Sequence, residues 1–508
     1  MRSIRRTGFA RRWGRIGLLT GTVLIVSTGI GTGQSLTLDQ ALDIALNRTM
    51  RGEMIEGNYE VAEQLYSARR INMYLPEISI NGSVPSYRQA KEYRPYNSPN
   101  DRELFETRNL NFSSFIELKQ SLFTGGQLTA TTDLKSDDDR RPDTRFEADA
   151  NLFVDQLSKQ GSFSLTLDQP LFRPSQSKNE LNNRKDDLGT AKVTRIEDIA
   201  TLRKEVTETY MGVMQQQLQA EMAADELKRS QLQQAIDSIK LADGVLSEED
   251  YLLSRSSLLD AELAHRSVLT ELGETKRELT TLLDLDVASE LNLIEPVVVV
   301  NIDSSVQEHL IADWEKAAPI KKAEHQLAKA EREADYASAG HGLTGDLKAS
   351  YSYGRQEIES DKLYDSTLRD PGGFTTEDIP TSNWTVALNF KLPLWDGGAG
   401  NAAVRAARYQ AEQARYEFTR AKRSARAKIV NLVNQLDVSF QRLDIIRQQI
   451  DLAGERLNIA KERFADGRIS ESTLLESKVF LLETRDRYLE ELKQYLLNRI
   501  DLESQYLD

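Results

Sequence analysis

The sequence contains no cysteine in its 508 residues. This absence excludes a disulfide scaffold, a cysteine-ligated zinc site and a cysteine nucleophile. Long hydrophobic runs are also missing after the N-terminal region, and only 39% of the residues are hydrophobic. A polytopic bundle of membrane-spanning helices is therefore excluded, because each such helix needs about 20 consecutive apolar residues.

Basic residues are outnumbered, since 65 Lys and Arg stand against 79 Asp and Glu, a formal net charge of −14. A nucleic-acid-binding protein is not expected, because phosphate contacts require a basic face. Histidine is scarce too, and the His-Glu-x-x-His spacing of a catalytic zinc helix does not occur. The sequence therefore predicts no enzyme and no cofactor or metal. The four histidines are His265, His309, His325 and His341.

Residues 1–33 have the composition of a secretory signal peptide. Six arginines and no acid lie within residues 2–15, and residues 16–30 carry no charge. Small residues then precede Gln34, where we expect cleavage. A permanent N-terminal anchor is the alternative. Cleavage removes six of the 65 basic residues, so 59 remain against 79 acidic residues, a net charge of −20.

The chain contains two similar halves, related by an offset of 223 residues. FSLTLDQPLF at 163–172 resembles VALNFKLPLW at 386–395, and the Asp-Gly pair at 243–244 falls on that at 466–467. The beginnings of the halves match at a different offset, 269, so the first half carries 269 − 223 = 46 additional residues. A segment of this length has the size of one long β-hairpin.

Six segments alternate apolar and polar residues with period two, as residues 384–394 illustrate. Segments of about 10 residues with one apolar face and aromatic ends are typical of a transmembrane β-barrel. Polar linkers at 89–107, 136–160 and 358–382 are predicted at one end of the strands, and short turns or helices at the other. A half-buried sheet of a soluble domain is the alternative, but long loops on one side favour a barrel.

The predicted helices are unusually long. A mostly apolar seam runs from residue 404 to residue 464, 60 residues in 17 steps, which is close to the coiled-coil period of 3.5. No proline interrupts residues 397–508, and the first-half copy at 178–242 is equally free of proline. A soluble, rod-like coiled-coil scaffold is an alternative that leaves the alternating strands unexplained.

Each long helix is predicted to end at an Asp-Gly pair, and a second helix begins after the following Ser. Gly244 and Gly467 suit the left-handed C-cap conformation, and Ser247 and Ser470 suit N-caps. Any helical hairpin needs such residues, so a structural role is the first interpretation. Two hairpins of equal length would place both turns at one far tip.

Together these features resemble the TolC family of outer-membrane channel proteins. The resemblance rests on LTLDQALDIALN at 36–47, QPLF at 169–172, LPLWDGG at 392–398, and LADGVLS and FADGRIS at 241–247 and 464–470. It implies a mixed, mainly α fold: a long periplasmic α-helical coiled-coil barrel plus transmembrane β-barrel strands contributed to a shared trimeric barrel. It also implies a homotrimer in outer-membrane lipid, a periplasmic adaptor (membrane fusion protein) and an inner-membrane pump of RND or ABC type.

The resemblance assigns expected roles to three sets of residues. The adaptor is expected to dock at the tips, on Asp243, Gly244, Ser247, Glu248, Asp466, Gly467, Arg468, Ser470 and Glu471. The periplasmic gate is expected at Asp250, Thr473 and Glu476. An aromatic girdle at the membrane is expected from Trp384, Trp395, Phe163 and Phe172.

Two features depart from the family pattern. Family members typically give four strands per chain, whereas the 46 additional residues predict six strands here, hence eighteen in a trimer. Some members lock the closed tip with a Tyr and an Arg, at positions where this chain has Phe464 and Ile469. An ion pair between Arg468 and Asp250 is the substitute that the sequence offers.

The predicted function is the outer-membrane exit duct of a tripartite efflux or export system. The alternatives are the outer-membrane component of type I protein secretion and the soluble scaffold. The predicted domains are the signal peptide (1–33), an N-terminal periplasmic helix (34–75), first-half barrel strands with an extra hairpin (76–172), a helical hairpin (173–285) with its tip near 243–248, an equatorial segment and helix (286–343), second-half strands (344–396), and a second hairpin (397–508) with its tip near 466–471.

Overall fold

The computed structural model describes residues 35–96, 98–142, 153–286, 292–296, 308, 311–362 and 373–506. The predicted signal peptide lies outside the described residues. The described part consists of long helices and one large antiparallel sheet. None of the described helices is apolar over a stretch long enough to cross a lipid bilayer.

The helices vary from about one turn to very long rods. Their bounds are α1 Leu38–Asn47, α2 Met50–Tyr74, α3 Gln176–Ala242, α4 Glu248–Leu282, a 3-10 helix Trp314–Lys316, α5 Ala318–His341, α6 Ala399–Ala465 and α7 Glu471–Glu503. Helices α3 and α6 have 67 residues each, a length of about 100 Å at about 1.5 Å per residue. The offset of 223 carries both ends of α3 onto those of α6, so the internal repeat is structural.

The sheet has six strands in the order β2-β3-β4-β5-β7-β8, and every neighbouring pair is antiparallel. Four strands come from the first half and two from the second, as the 46 additional residues predict. A separate short parallel pair joins β1 to β6. The bounds are β1 Ser35–Leu36, β2 Glu77–Tyr96, β3 Ser98–Ser121, β4 Gln127–Pro142, β5 Phe153–Leu171, β6 Asn292–Leu293, β7 Thr344–Lys362 and β8 Gly373–Lys391.

The strands extend well beyond the segments that the sequence predicts. The predicted polar linkers 89–107, 136–160 and 358–382 are wrong for most of their length, because the ladder continues to Pro142↔Phe153 and Lys362↔Gly373. Alternation with an apolar face marks only the part of a strand that meets an apolar environment. Backbone hydrogen bonds, together with polar cross-strand contacts such as that of Asn109 with Asp137 (2.6 Å), continue the hairpins where the residues are mostly polar.

Two short helices stack on two longer ones near the middle of the molecule. The backbone N–H of Met50 at the start of α2 donates to Asp284 Oδ2 just after α4, at 3.0 Å. The backbone N–H of Ala318 at the start of α5 donates to the carbonyl of Gln505 just after α7, at 2.7 Å. Helices α4 and α2 therefore act as one interrupted rod, and α7 and α5 as another.

The rods lie side by side in one layer. Between the middle and the sheet, ion pairs join α2 to α3, α3 to α5, and α5 to α6. These pairs are Glu56 with Arg195 (2.6 Å), Asp187 with Lys329 (2.9 Å), and Glu331 with Arg415 (2.7 Å).

Towards the hairpin turns, polar contacts join α4 to α3, α3 to α7, and α7 to α6. These are Tyr251 with Gln234 (3.0 Å), Asp225 with Lys478 (2.8 Å), and Glu491 with Arg442 (3.8 Å). The α2/α4 rod thus forms one edge of the layer, and α6 forms the other.

The hydrophobic core lies where the rods are interrupted. Tyr210 is fully buried, and its hydroxyl lies 2.7 Å and 2.6 Å from the carbonyl oxygens of Leu36 and Ile294. Burial raises the pKa of Tyr210 to about 12, so the phenol stays protonated and anchors the β1–β6 pair to α3. The seam of α6 contributes Ile429, Leu432, Leu436 and Leu443 to this core, which confirms the predicted coiled-coil face.

Candidate functional site

The sheet has one apolar face and one polar face. Along one cross-strand row, Ile78, Leu118, Ala130, Leu165, Tyr351 and Trp384 are paired in succession. The adjacent row, one residue along, holds Ser79, Glu117, Thr131, Ser164, Ser352 and Asn383. Successive residues of a strand point to opposite faces, so the two rows belong to different sides of the sheet.

The apolar face is exposed in the single chain. Trp384 is 75% exposed, and Ile80 and Val386 are 75% and 60% exposed. On β8 the face runs from Pro380 to Phe390, and ten residues tilted by about 40° rise about 25 Å, the height of an outer-membrane apolar band. At its outer end, Arg355 stands opposite Pro380 and forms an ion pair with Asp378, two residues further out along β8. An uncharged exposed face that ends at charged pairs is typical of lipid contact.

The four predicted girdle residues occupy two places. Phe163 pairs with Tyr353 across β5 and β7. Tyr353 lies on the same face as Tyr351, the partner of Trp384, and two residues further along β7. Phe172 and Trp395 lie past the ends of β5 and β8, close to the helices, and are 62% and 89% exposed. Their assignment as membrane-surface anchors stays a prediction.

The turn between α3 and α4 is a Schellman motif. Gly244 has φ +68°, the N–H of Val245 donates to the Lys240 carbonyl at 2.8 Å, and the N–H of Gly244 donates to the Leu241 carbonyl at 3.1 Å. Ser247 then accepts the backbone N–H of Asp250 at 3.1 Å, as an N-cap does. The predicted cap geometry is confirmed at this turn.

The turn between α6 and α7 repeats the arrangement. Gly467 has φ +71°, and the N–H of Arg468 donates to the Arg463 carbonyl at 2.8 Å. Ser470 accepts the backbone N–H of Thr473 at 3.3 Å. The expected pair of Arg468 with Asp250 does not form within the chain: Arg468 Nε lies 3.6 Å from Asp466, and Asp250 accepts the Ser247 hydroxyl at 2.6 Å.

Replacing Gly467 by Ala is expected to destabilise the second hairpin by about 1–2 kcal/mol, because a Cβ disfavours the left-handed conformation. The matched control is Gly454→Ala in the interior of α6, where a Cβ meets nothing within 4 Å. That change should stabilise the helix by up to about 1 kcal/mol. Urea denaturation followed by circular dichroism should shift the two midpoints in opposite directions, and equal shifts would contradict the turn geometry.

Two of the acids expected at the gate and tip, Glu476 and Glu471, are held in ion pairs between the two hairpins. Glu476 on α7 lies 3.4 Å from Arg229 on α3, and Glu471 lies 2.6 Å from Lys228. Lys478 lies 2.8 Å from Asp225, further along the same interface. We call this set the cross-hairpin ion pairs. Each joins residues about 250 positions apart, so sequence reasoning missed the basic partners.

The two turns therefore lie at the same end of the molecule but differ in charge. Residues 243–250 carry four acids and no base, and residues 466–471 carry Asp466, Arg468 and Glu471. No cluster of three or more metal-ligating side chains occurs in the described ranges. His325 contacts Asp186 at 2.8 Å, and His341 lies 3.8 Å from Asp396. Both serve contacts of α5 with its neighbours.

A family model described as outer membrane efflux protein matches residues 143–284 and 315–505 of the chain. These two segments contain both helical hairpins and β5, β7 and β8. The chain belongs to the outer membrane efflux protein family. It is therefore an outer-membrane efflux channel and not an enzyme. Channels of this family work as trimers with an adaptor and an inner-membrane pump.

Solved structures agree with the fold. The CmeC outer-membrane channel of Campylobacter jejuni has 13% sequence identity and a TM-score of 0.56, over 92% of this chain and 85% of that one. The outer membrane protein VceC of Vibrio cholerae has 13% identity and a TM-score of 0.56, over 93% and 97%. The MtrE outer-membrane channel of Neisseria gonorrhoeae, in its open state, has 15% identity and a TM-score of 0.54, over 92% and 88%. No curated protein matches the chain.

One further surface of the channel was accessible to sequence reasoning but missed. A second apolar stripe runs along α6, opposite the predicted seam, with one residue in every seven. The stripe consists of Val438, Ile445, Leu452 and Ile459, which are 45–66% exposed. Its heptad spacing is visible in the sequence, and it lies on the free edge of the helical layer.

Proposed function

We propose that three copies of the chain close edge to edge into one outer-membrane exit duct, which receives substrates from a periplasmic adaptor and an inner-membrane pump. The observation that carries this proposal is the layer of helices, whose two edges are both open in the single chain. A layer with two different open edges makes head-to-tail contacts, and such contacts generate a closed ring when the rotation between copies closes.

The half of the layer nearest the turns supports this closure through apolar edges. The α6 stripe is matched on the opposite edge by Leu252, Leu259 and Leu263 of α4, which are 54–70% exposed. Full burial of a Leu or Ile side chain contributes about 1.5–3 kcal/mol. Packing α6 of one copy against α4 of the next would remove both stripes from water.

The half nearest the sheet supports the same pairing through charge. On the free edge of α6, Arg420 and Arg423 are exposed, and on the free edge of α2, Glu53 and Glu60 are exposed. Arg420 lies 420 − 399 = 21 residues from the start of α6, and Glu53 lies 74 − 53 = 21 residues from the end of α2. Both ends adjoin the sheet, so Arg420 and Glu53 lie at the same level. Opposite charges on two facing edges favour one register.

The hairpin tips are the proposed adaptor-docking surface. Their exposed residues include Val245, Glu248 and Glu249 at the first turn and Arg468 at the second, and Glu471 beside it is half-buried. We further propose that Asp250, Thr473 and Glu476 line the periplasmic gate, because they begin the helices that follow both turns. A ring of acids from three copies would disfavour anions at this constriction.

Type I protein secretion is the alternative to small-molecule efflux. The geometry is compatible with both, because both functions need the same duct. The family description favours efflux. The soluble coiled-coil scaffold finds no support, since family membership carries an outer-membrane location. An RND pump points to small-molecule efflux, and an ABC exporter is the partner expected for protein secretion.

Purification of the full-length chain from its own cell envelope after mild cross-linking tests the proposal. We expect one periplasmic adaptor and one inner-membrane pump to copurify, and the pump's energy source identifies the substrate route. The matched control is a chain with Glu248 and Glu249 changed to Lys, which should retain the trimer and lose the adaptor. Recovery of the trimer without any adaptor from wild-type cells would contradict the proposal.

A further inference from the structure

The free edges of the sheet can pair with one another. Strand β2 and strand β8 each have a partner on one side only, and they have 20 and 19 residues. Six strands alternate in direction, so β2 and β8 run oppositely, and β8 of one copy can form an antiparallel ladder with β2 of the next. Unpaired edges of this length do not occur in a bilayer, where each free N–H and C=O group costs several kcal/mol.

On both edge strands, the exposed apolar residues lie on the same face of the sheet. Ile78 and Ile80 on β2 belong to the cross-strand rows that end at Trp384 and Ser382 on β8. Ile78 is 65% exposed and Trp384 is 75% exposed. Joining β8 to β2 of the next copy therefore continues the apolar face without a break and keeps the polar face on the inside.

Packing between the edge helices of two copies brings the same two edge strands together. Helix α2 ends at Tyr74, directly before β2, and α6 begins at Ala399, shortly after β8. If α6 of one copy packs against α2 of the next, then β8 of the first copy already lies beside β2 of the second. One head-to-tail rotation thus satisfies both seams.

The number of strands sets the width of the closed barrel. Eighteen strands about 4.8 Å apart, tilted by about 40°, give a circumference of about 113 Å, whereas twelve give about 75 Å. The helical part has four rods per chain, hence twelve per trimer, and helices packed about 8–10 Å apart give about 95–120 Å. The circumference expected for eighteen strands falls within the range expected for the tunnel below it.

The additional strands are β3 and β4. The repeat aligns β2 with β7 and β5 with β8, which leaves the β3–β4 hairpin without a counterpart in the second half. Its short turn, closed by the N–H of Leu122 on the Gly126 carbonyl at 2.8 Å, lies at the helical end of the sheet. The hairpin is a full member of the sheet on both sides and does not fold into the polar face.

We propose that the β3–β4 hairpin widens the trimeric barrel to eighteen strands, so that the outer-membrane pore is as wide as the helical tunnel. This inference rests on the proposed trimer. The barrel then imposes no size limit of its own, and the hairpin tips are the narrow point. The channel is suited to bulky solutes that a twelve-stranded barrel would retard.

Deletion of residues 98–142 gives a matched variant. It removes β3 and β4 and leaves residues 143–152 to join β2 to β5, which run in opposite directions and keep their apolar faces aligned. In planar bilayers, neutral polyethylene glycols added on the barrel side should enter the wild-type pore at diameters up to about 18/12 = 1.5 times those that enter the variant. Equal size limits in two trimeric proteins would overturn the inference.

Electron cryomicroscopy of the wild-type particle in detergent keeps the test independent of how the variant folds. Eighteen strands around one axis are the expected result. Twelve strands with the β3–β4 hairpin folded into the lumen, or six strands per copy that do not join, would overturn the proposal. A particle with a single chain would instead refute the trimer itself, so the two failures are distinguishable.

Discussion

Replacing Ile445 and Leu452 together by Asp is expected to convert the trimer into single chains. Both side chains lie on the exposed stripe of α6, at 55% and 66% exposure. In the proposed assembly they pack against α4 of the next copy, so each substitution puts a carboxylate into an apolar seam at three places. An unpaired charge in such a seam is strongly disfavoured. Sedimentation velocity in detergent should detect the loss of the trimer.

The control for this experiment is Gln410→Asp, an exposed position of α6 outside the stripe. It introduces one carboxylate of the same kind into the same helix and should leave the trimer intact. Circular dichroism should give equal helix content for both variants, because the stripe does not contribute to the core of the single chain. If the double variant still sediments as a trimer, the α6 stripe is not the interface.

Reversing Lys228 and Arg229 to Glu is expected to increase the conductance of the trimer in planar bilayers several-fold. In the wild type these side chains hold Glu471 and Glu476 at 2.6 Å and 3.4 Å, and so keep the beginning of α7 on α3. The reversed side chains repel the same acids, and like charges in contact are destabilising. The start of α7 should then leave α3, which widens the proposed gate.

A nearby substitution separates this effect from a general loss of positive charge. Lys240 pairs with Asp237 at 3.5 Å on its own helix, α3. Lys240→Glu therefore removes one ion pair close to the tip but leaves the contacts between α7 and α3 in place. The conductance of this variant should remain at the wild-type value. An unchanged conductance in the Lys228 and Arg229 double variant, with the trimer retained, would rule out the cross-hairpin ion pairs as a closing device.

Much of the fold is predictable because it follows local rules. The apolar period near 3.5 places the buried seam of α6, and the absence of proline allows both helices of 67 residues to run uninterrupted. Gly and Ser at fixed offsets define both turns, and their caps form as expected. The offset between the halves even fixes the bounds of one helix from those of the other.

Other features depend on contacts between distant segments and are not encoded locally. The extended parts of the hairpins are polar on both faces, so no alternation marks them as strands. The partner of Glu476 is Arg229, 247 positions earlier, and not a residue of the neighbouring turn. That choice follows from the packing of α3 beside α7, which no local pattern predicts.

We expect this family member to act as three chains around one passage. Native mass spectrometry of the full-length protein, extracted from outer membranes and released from detergent, tests it most directly. We expect particles of three chains, with no stable population of one, because both edges of the helical layer and both edges of the sheet need a neighbour. A stable particle of a single chain, with its exposed stripe and unpaired strands, would contradict it.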